Sequence, residues 1–160
     1  ILRYFNAAGY DSKGRIRGLE KAPQNLLPIV MEVLINKRKH ISIFGNDYNT
    51  QDGTCERDYI HVSDLASAHY LSYKKLLKSD ENLLLNLATG KKYSVLEVVN
   101  GCEKYLNKKV KFDFTERRLG DPEVLYSISH LAQSKLGWEP QYSDLNNLLT
   151  SMYNIYKNRG

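Results

Sequence analysis

Short apolar runs alternate along this chain with segments in which apolar residues recur at helical spacing, and polar, glycine-bearing stretches separate them. Ile1–Phe5 reads as a strand closed by Asn6-Ala7-Ala8-Gly9, and Asp11 to Pro23, with glycines, charges and no periodicity, reads as a loop. Leu26, Ile29, Val30, Val33 and Leu34 predict a helix over Asn25–Arg38, with Asn25 as N-cap and Pro28 tolerated in the first turn. Lys37, Arg38 and Lys39 suit the negative C-terminal end of that helix. Ile41–Phe44 is a strand stopping at Gly45, Gly45–Gly53 a polar loop, and Arg57–His61 a further strand. A helix from about Ser63 to Leu77 follows, with Asp64 in its first turn. Leu83–Leu87 is a strand ending in Ala88-Thr89-Gly90. Ser94-Val95-Leu96-Glu97 is a capping box opening a helix to about Leu106. Val110–Phe114 alternates apolar and charged residues as a half-exposed strand does, and Arg117–Pro122 is a turn. Ser129–Leu136 is a short helix stopped by Gly137, and Asp144 caps a last amphipathic helix to about Lys157.

The 160 residues suffice for one domain with a real core, and no apolar run approaches the roughly 20 residues of a membrane span. The net charge of +5 is mild. Its lysines fall in short clusters, Lys37–Lys39, Lys74–Lys75, Lys91–Lys92 and Lys108–Lys109, on separate predicted elements, as solvated faces do. A nucleic-acid reader concentrates them on one stripe between stacking aromatics, so nucleic acid is not expected as a partner, nor is a membrane. Cys55 and Cys102 form no CxxC and no metal spacing, which predicts two free thiols, a reducing cytoplasm and no metal site. The chain opens on a strand signal with no methionine, which is expected of a piece of a longer protein.

The chemistry concentrates in Gly53–Asp64, Gly-Thr-Cys-Glu-Arg-Asp-Tyr-Ile-His-Val-Ser-Asp. Arg57 and Tyr59, two apart on an extended segment, share a face, and a guanidinium beside a phenol suits a phosphate with a sugar or base edge. Alternatively, Arg57 only pairs with Glu56 or Asp58. Asn6, just past a strand end, is either a ligand group facing the crevice of an α/β sheet or a turn former. Asn25 is explained by capping alone. Phe44 shares a face with Ser42 and either stacks on a planar base or joins the core. His61, with no nucleophile beside it in sequence, reads as a structural histidine. In Arg117-Arg118-Leu119-Gly120-Asp121-Pro122, the two arginines either hold an anion or salt-bridge to Glu116 and Asp121.

Taken together, Leu2-Arg3-Tyr4-Phe5-Asn6, Asn25-Leu26, Ile43-Phe44-Gly45-Asn46-Asp47-Tyr48, Asp52-Gly53-Thr54, Arg57-Asp58-Tyr59-Ile60-His61-Val62, Ser94–Val99 and Arg117–Asp121 resemble, in order and at close to family spacing, the UDP-glucose 4-epimerase family of extended short-chain dehydrogenases. The resemblance implies an α/β fold: the C-terminal, UDP-sugar-binding portion of such an enzyme, residues 1–160, with strands that complete a Rossmann sheet whose NAD-binding N-terminal half is absent. It implies that Asn6 meets the diphosphate and sugar, and that Asn25 and Leu26 meet the pyrophosphate and nucleotide. Ser42 and Phe44 would frame the uracil, Arg57 and Arg118 clamp the phosphates, and Tyr59 line the nucleotide site. Val95 would pack on the uridine and Asp121 take the ribose hydroxyls. Tyr4 and Asn6 would touch NAD, which the missing half mainly binds.

The activity so implied interconverts UDP-glucose and UDP-galactose, or their N-acetyl forms, by oxidation at C4 to NAD, rotation of the 4-keto sugar and re-reduction. The parent would be a homodimer, and this segment alone inactive. The family's glycine-rich loop and its catalytic Tyr-x-x-x-Lys pair find no match. Tyr70/Lys74, Tyr105/Lys109 and Tyr153/Lys157 fit that pattern, but on predicted helices outside its context. Leu125 stands where the family often has tyrosine or cysteine beside the sugar's C2 substituent, which implies room for an N-acetyl group. The effect of Glu116, in place of a frequent proline, is open. The alternatives are another extended short-chain nucleotide-sugar enzyme, a dehydratase or decarboxylase, and a binding module without chemistry.

Overall fold

In chain order the computed structural model, which describes residues 1–158, has β1 (Leu2–Arg3), β2 (Asn6–Ala8), α1 (Leu26–Leu34), β3 (Ile41–Phe44), β4 (Glu56–Arg57), β5 (Tyr59–His61) and α2 (Val62–Leu76). There follow β6 (Leu85–Asn86), β7 (Tyr93–Ser94), α3 (Val95–Leu106), β8 (Phe112–Thr115), β9 (Val124–Leu125), α4 (His130–Leu136) and α5 (Leu145–Tyr156). The fold is α/β, with its strands in several small sheets. β1 pairs with β6, β2 with β5 and β3 with β8, all parallel, while β4 lies between antiparallel β7 and parallel β9.

Two hydrophobic clusters hold these elements. In the first, Val30 and Met31 of α1, Val98 of α3, and Leu148 and Leu149 of α5 are wholly buried against Ile41 and Ile43 of β3. Each such side chain contributes about 1.5–3 kcal/mol by leaving water. Gly101 lets α3 and α5 approach, because a Cβ there would stand 2.9 Å from Leu145 and 3.0 Å from Leu149. The second cluster joins Leu85 and Leu87 around β6 to Leu65 and Ala68 of α2, Ala132 of α4 and Trp138. The Trp138 indole N–H donates to the Asp64 carbonyl at 3.0 Å, so its one polar atom is satisfied.

Three locally signalled helix ends form as the sequence predicts. Ser94 Oγ accepts from the Glu97 N–H at 2.9 Å while Glu97 Oε2 accepts from the Ser94 N–H at 2.7 Å, completing the capping box. Gly137, at φ +65, ends α4, and Asp144 caps α5 through the Asn147 N–H.

Elements defined by distant partners depart from expectation. The strand expected over Ile1–Phe5 pairs only at Leu2–Arg3, and Asn6 opens a separate strand rather than a turn, because the two stretches have different partners. The Arg57–His61 strand is broken at Asp58. The buried carboxylate of that residue takes the Thr89 N–H at 3.0 Å and hydroxyl at 2.8 Å, while its own N–H donates to the Leu125 carbonyl. Burial pushes the Asp58 carboxyl up, and the Thr89 bonds pull it back.

Helix α1 stops at Leu34, and Asn36 turns left-handed at φ +62, so the Lys37–Lys39 run lies beyond the helix it was expected to end. The strand expected over Val110–Phe114 is shifted to Phe112–Thr115, and the one over Leu83–Leu87 shrinks to Leu85–Asn86. The two-residue strands β7 and β9 had no signal; each exists through β4.

Parallel strands normally sit inside larger, doubly covered sheets. Among the described residues β1 has only β6 beside it, and Tyr4, Phe5 and Leu84 next to that pair are exposed.

Candidate functional site

The ends of β2, β3 and β4, the first turn of α1, the start of α3 and the 117–121 turn converge on a cavity of about 560 Å³. Asn6, Asn25, Leu26, Ser42, Phe44, Arg57, Tyr59, Val95, Arg118 and Asp121 line it, so residues spread over more than a hundred positions meet. Leu125 and Tyr4 stand apart from that wall. Leu125 is half-buried on β9, directly beside Arg57 in the strand register. Tyr4 is exposed and meets His69 edge-on.

β3 supplies two of these groups by alternation: Ile41 and Ile43 go to the core, while Ser42 is exposed and Phe44 half-buried. Gly45 then turns the chain at φ +83, where a Cβ would stand 2.6 Å from the Tyr48 ring.

The 117–121 turn separates its arginines. Arg117 pairs with Asp47 at 2.7 Å and lies over the Tyr48 ring, so it serves the turn. Arg118 stacks on Phe44, its guanidinium carbon 4.2 Å from the ring centroid.

Two guanidiniums share one carboxylate. Arg57 reaches Asp121 Oδ1 at 3.4 Å and Arg118 reaches Oδ2 at 3.3 Å, both long for charge-assisted bonds. Arg57 also donates to the Glu56 carbonyl at 2.9 Å and keeps only 12% of its side-chain surface exposed. This leaves one positive charge uncompensated at the cavity wall, with donors unfilled. Of the expected alternatives for Arg118, the pairing with Asp121 is present, at long distance and beside a cavity.

Asn6 Nδ2 donates to the Asp58 carbonyl at 2.9 Å, which fixes its side chain at the floor. Asn25 occupies the cap position of α1, but its side chain makes no capping bond, contrary to the capping expectation. The amide stays exposed at the cavity, and the first-turn N–H groups of α1 keep their capacity to meet an acceptor. Tyr59 is 4% exposed, and burial first of all pushes its phenol far above the usual range, so it stays a neutral donor.

Cys55, Arg38 and His40 also line the cavity, though none of them was expected there. Strand alternation carries a signal for one of them, since His40 precedes Ser42 and Phe44 at spacing two. Burial raises the Cys55 thiol, against a downward pull from Arg57, so it is a packing group rather than a nucleophile.

His61 is structural, as expected. Its Nδ1 accepts the Ser63 N–H at 3.0 Å, making it the N-cap of α2, and Nε2 lies 3.3 Å from Ser151 Oγ. Of the Tyr-x-x-x-Lys matches, Lys74 lies over the Tyr70 ring and Lys157 over Tyr153, as neighbours on helix surfaces away from the cavity. Among the described residues no cluster of histidine, cysteine or acidic side chains could hold a metal ion, and no helix is long and apolar enough to cross a membrane.

The chain is similar to known proteins along nearly its whole length. The chain is 45% identical over 157 residues to UDP-glucose 4-epimerase of Halalkalibacterium halodurans, covering 98% of this chain and 47% of that one. It superimposes with a TM-score of 0.94 and 37% identity on UDP-glucose 4-epimerase of Stenotrophomonas maltophila with bound NAD and formylated UDP-arabinopyranose, covering 98% of this chain and 47% of that one. The epimerase of Bifidobacterium longum in complex with NAD+ and UDP gives a TM-score of 0.88 at 34% identity, over 99% of this chain and 47% of that one. The chain thus spans about half the length of the relatives it matches. The family model described as GDP-mannose 4,6 dehydratase matches residues 1–152, nearly the whole chain, and the protein belongs to that family.

Proposed function

We propose that this chain is the UDP-sugar-gripping C-terminal part of a UDP-hexose 4-epimerase, which interconverts UDP-glucose and UDP-galactose. The observation that carries the reading is the pair Arg57 and Arg118 sharing the single carboxylate of Asp121 at a cavity wall. A diphosphate supplies the acceptors those guanidiniums lack, and the first turn of α1 with Asn25 offers further donors. Phe44 and Ser42 suit a flat base beside Val95, and Asp121 suits ribose hydroxyls once a phosphate draws the arginines away. Although the family carries a dehydratase's description, relatives at 45% and 42% identity are named epimerases, and the reading follows them.

NAD, where bound, supplies reversible hydride acceptance, which lets C4 of the sugar be oxidised and then reduced on its other face. The chain offers no glycine-rich turn for a dinucleotide pyrophosphate, so NAD fits here only as a neighbour of Tyr4 and Asn6, the rest of its site lying in the part of the relatives this chain does not cover. Open β1 and the exposed Tyr4 and Phe5 are suited to meeting that part. This chain's own contribution is binding and orientation: strong fixing of the UDP with looser contacts to the sugar leaves a hexose free to turn. Leu125, beside Arg57, is aliphatic and fits a site that admits N-acetylated sugars. The free thiols Cys55 and Cys102 suit a cytoplasmic enzyme; the parent would be a homodimer joined outside this segment.

The test is to follow UDP-galactose and UDP-glucose by NMR with the full-length protein and NAD. Interconversion is expected, with none from residues 1–160 alone. Dehydration of either sugar, decarboxylation of a UDP-hexuronate offered in their place, or no turnover by the full-length protein, would overturn the reading.

A further inference from the structure

Among the described residues three buried side-chain oxygens have no hydrogen-bond partner: Tyr48 Oη, Glu56 Oε2 and Ser72 Oγ. Glu56 Oε2 has the Lys92 ammonium beside it, and Ser72 stands on α2, outside the wall of the candidate site. Tyr48 is different. It is 5% exposed, and its ring is wedged between the two turns that carry the site. On one side is Gly45, where no Cβ would fit against the ring, and on the other Arg117, whose guanidinium carbon lies 4.1 Å from the ring centroid. The Tyr48 N–H donates to the Gly53 carbonyl at 3.0 Å. Packing and backbone therefore fix the ring, and the hydroxyl is held in place without a bond of its own. Buried polar groups left unfilled are few in folded proteins, and each weighs against the fold.

The groups this hydroxyl feels are Asp121, Cys55, Arg117 and Arg57. The arginines only donate and a thiol accepts weakly, so Asp121 is the strong acceptor among them. In this structure the Asp121 oxygens face Arg57 at 3.4 Å and Arg118 at 3.3 Å. Burial first of all, and then the charge of Asp121, push the Tyr48 phenol above its usual range. It keeps its proton at neutral pH and can serve a carboxylate as a donor.

A diphosphate that engages both arginines draws from Asp121 the two cations paired with it. A carboxylate left beside phosphate oxygens is unfavourable unless a donor meets it. We propose that Tyr48 is a positioning residue for Asp121: its hydroxyl donates to the carboxylate once the arginines turn to the diphosphate, and holds it toward the ribose. The proposal rests on the UDP-sugar reading above. Tyr48 is not part of the cavity wall, so it acts through Asp121 and not by touching the ligand. Its capacity is unfilled in the free protein and filled in the complex, so the hydroxyl favours binding and not folding.

The experiment is calorimetric titration of the full-length protein with UDP, beside a urea titration, on the parent, Tyr48→Phe, Asp121→Ala and the double variant. Tyr48→Phe keeps the ring that Gly45 and Arg117 enclose and removes only the hydroxyl, so its urea midpoint should equal or exceed the parent's. UDP should nevertheless bind it about three- to tenfold more weakly, the scale of one hydrogen bond. In the Asp121→Ala background the same change should leave UDP affinity where it was, because the group it acts through is gone. Unchanged UDP affinity in Tyr48→Phe, an equal loss with and without Asp121, or a lowered urea midpoint would overturn the proposal while leaving the UDP site in place. No UDP binding by the parent would overturn both.

Discussion

Two polar clusters in this molecule draw on one short stretch of sequence, His61 and Asp64 in the first and Arg57 in the second, and behave oppositely. Around Asp64, which is 1% exposed, the carboxylate takes the backbone N–H of Gln141 at 2.8 Å and of Tyr142 at 3.0 Å together with the Ser143 hydroxyl. That hydroxyl in turn accepts the His61 N–H. Every strong acceptor there is filled by the chain itself, tying the start of α2 to the segment before α5. Around Asp121 one carboxylate serves two arginines at 3.3 and 3.4 Å, and a cavity lies alongside. Polar density and depth alone therefore do not mark a binding site. What marks it is hydrogen-bonding capacity left unfilled and turned toward empty space.

Breaking the first cluster should cost the most. Asp64→Ala orphans the buried Ser143 hydroxyl and the half-buried Gln141 and Tyr142 N–H groups, and the loss of stability should be about 3 kcal/mol. A urea titration checks this, and a midpoint within error of the parent's would make the cluster ornamental. Arg118→Ala should do the reverse, leaving the midpoint in place while weakening UDP about three- to tenfold, the scale of one partly exposed charge-assisted contact. Inhibition by UDP unchanged in that variant would remove Arg118 from the site.

A third comparison is in pH. Burial, against the pull of Asp64, holds the His61 ring below the usual 6.5. A base whose folded pKa is depressed binds its proton more readily unfolded, so its contribution is present above about pH 6.5 and lost as pH falls below that value. The parent should lose stability over that window faster than His61→Asn does; parallel losses would mean the ring's protonation does not matter. The smallest effect is one of selectivity. Leu125→Tyr should lower kcat/KM for N-acetylated sugars more than for their plain counterparts, and equal losses would count against a gate at this position.

How much of this was legible in the sequence follows from the range of each interaction. The Ser94–Glu97 box, the Gly137 stop and the Asp144 cap are made by residues within four positions of each other, and each forms as read. His61 as a cap was not legible, because histidine is seldom chosen there and only its burial against Ser151 fixes the ring. The strands β7 and β9 are held by β4 alone, so no local pattern announces them. In the site, Ser42 and Phe44 follow from strand alternation. No local pattern separates Arg117 from Arg118, which only the family resemblance did; in the fold they are divided because Tyr48 and Asp47 claim the first. The lysine runs look scattered along the chain because α1 and α3 bring their ends together only in the fold.

On the proposed reading Arg57, nearly buried and poorly partnered, anchors an incoming diphosphate. Calorimetric titration of the full-length protein with UDP at low salt, beside Arg57→Ala, tests it most directly. Micromolar to millimolar binding by the parent is expected, at least tenfold weaker in the variant, with an unchanged urea midpoint. Equal affinity in the two proteins would contradict it, and would return Arg57 to the class that Asp64 represents, a polar group that serves only the fold.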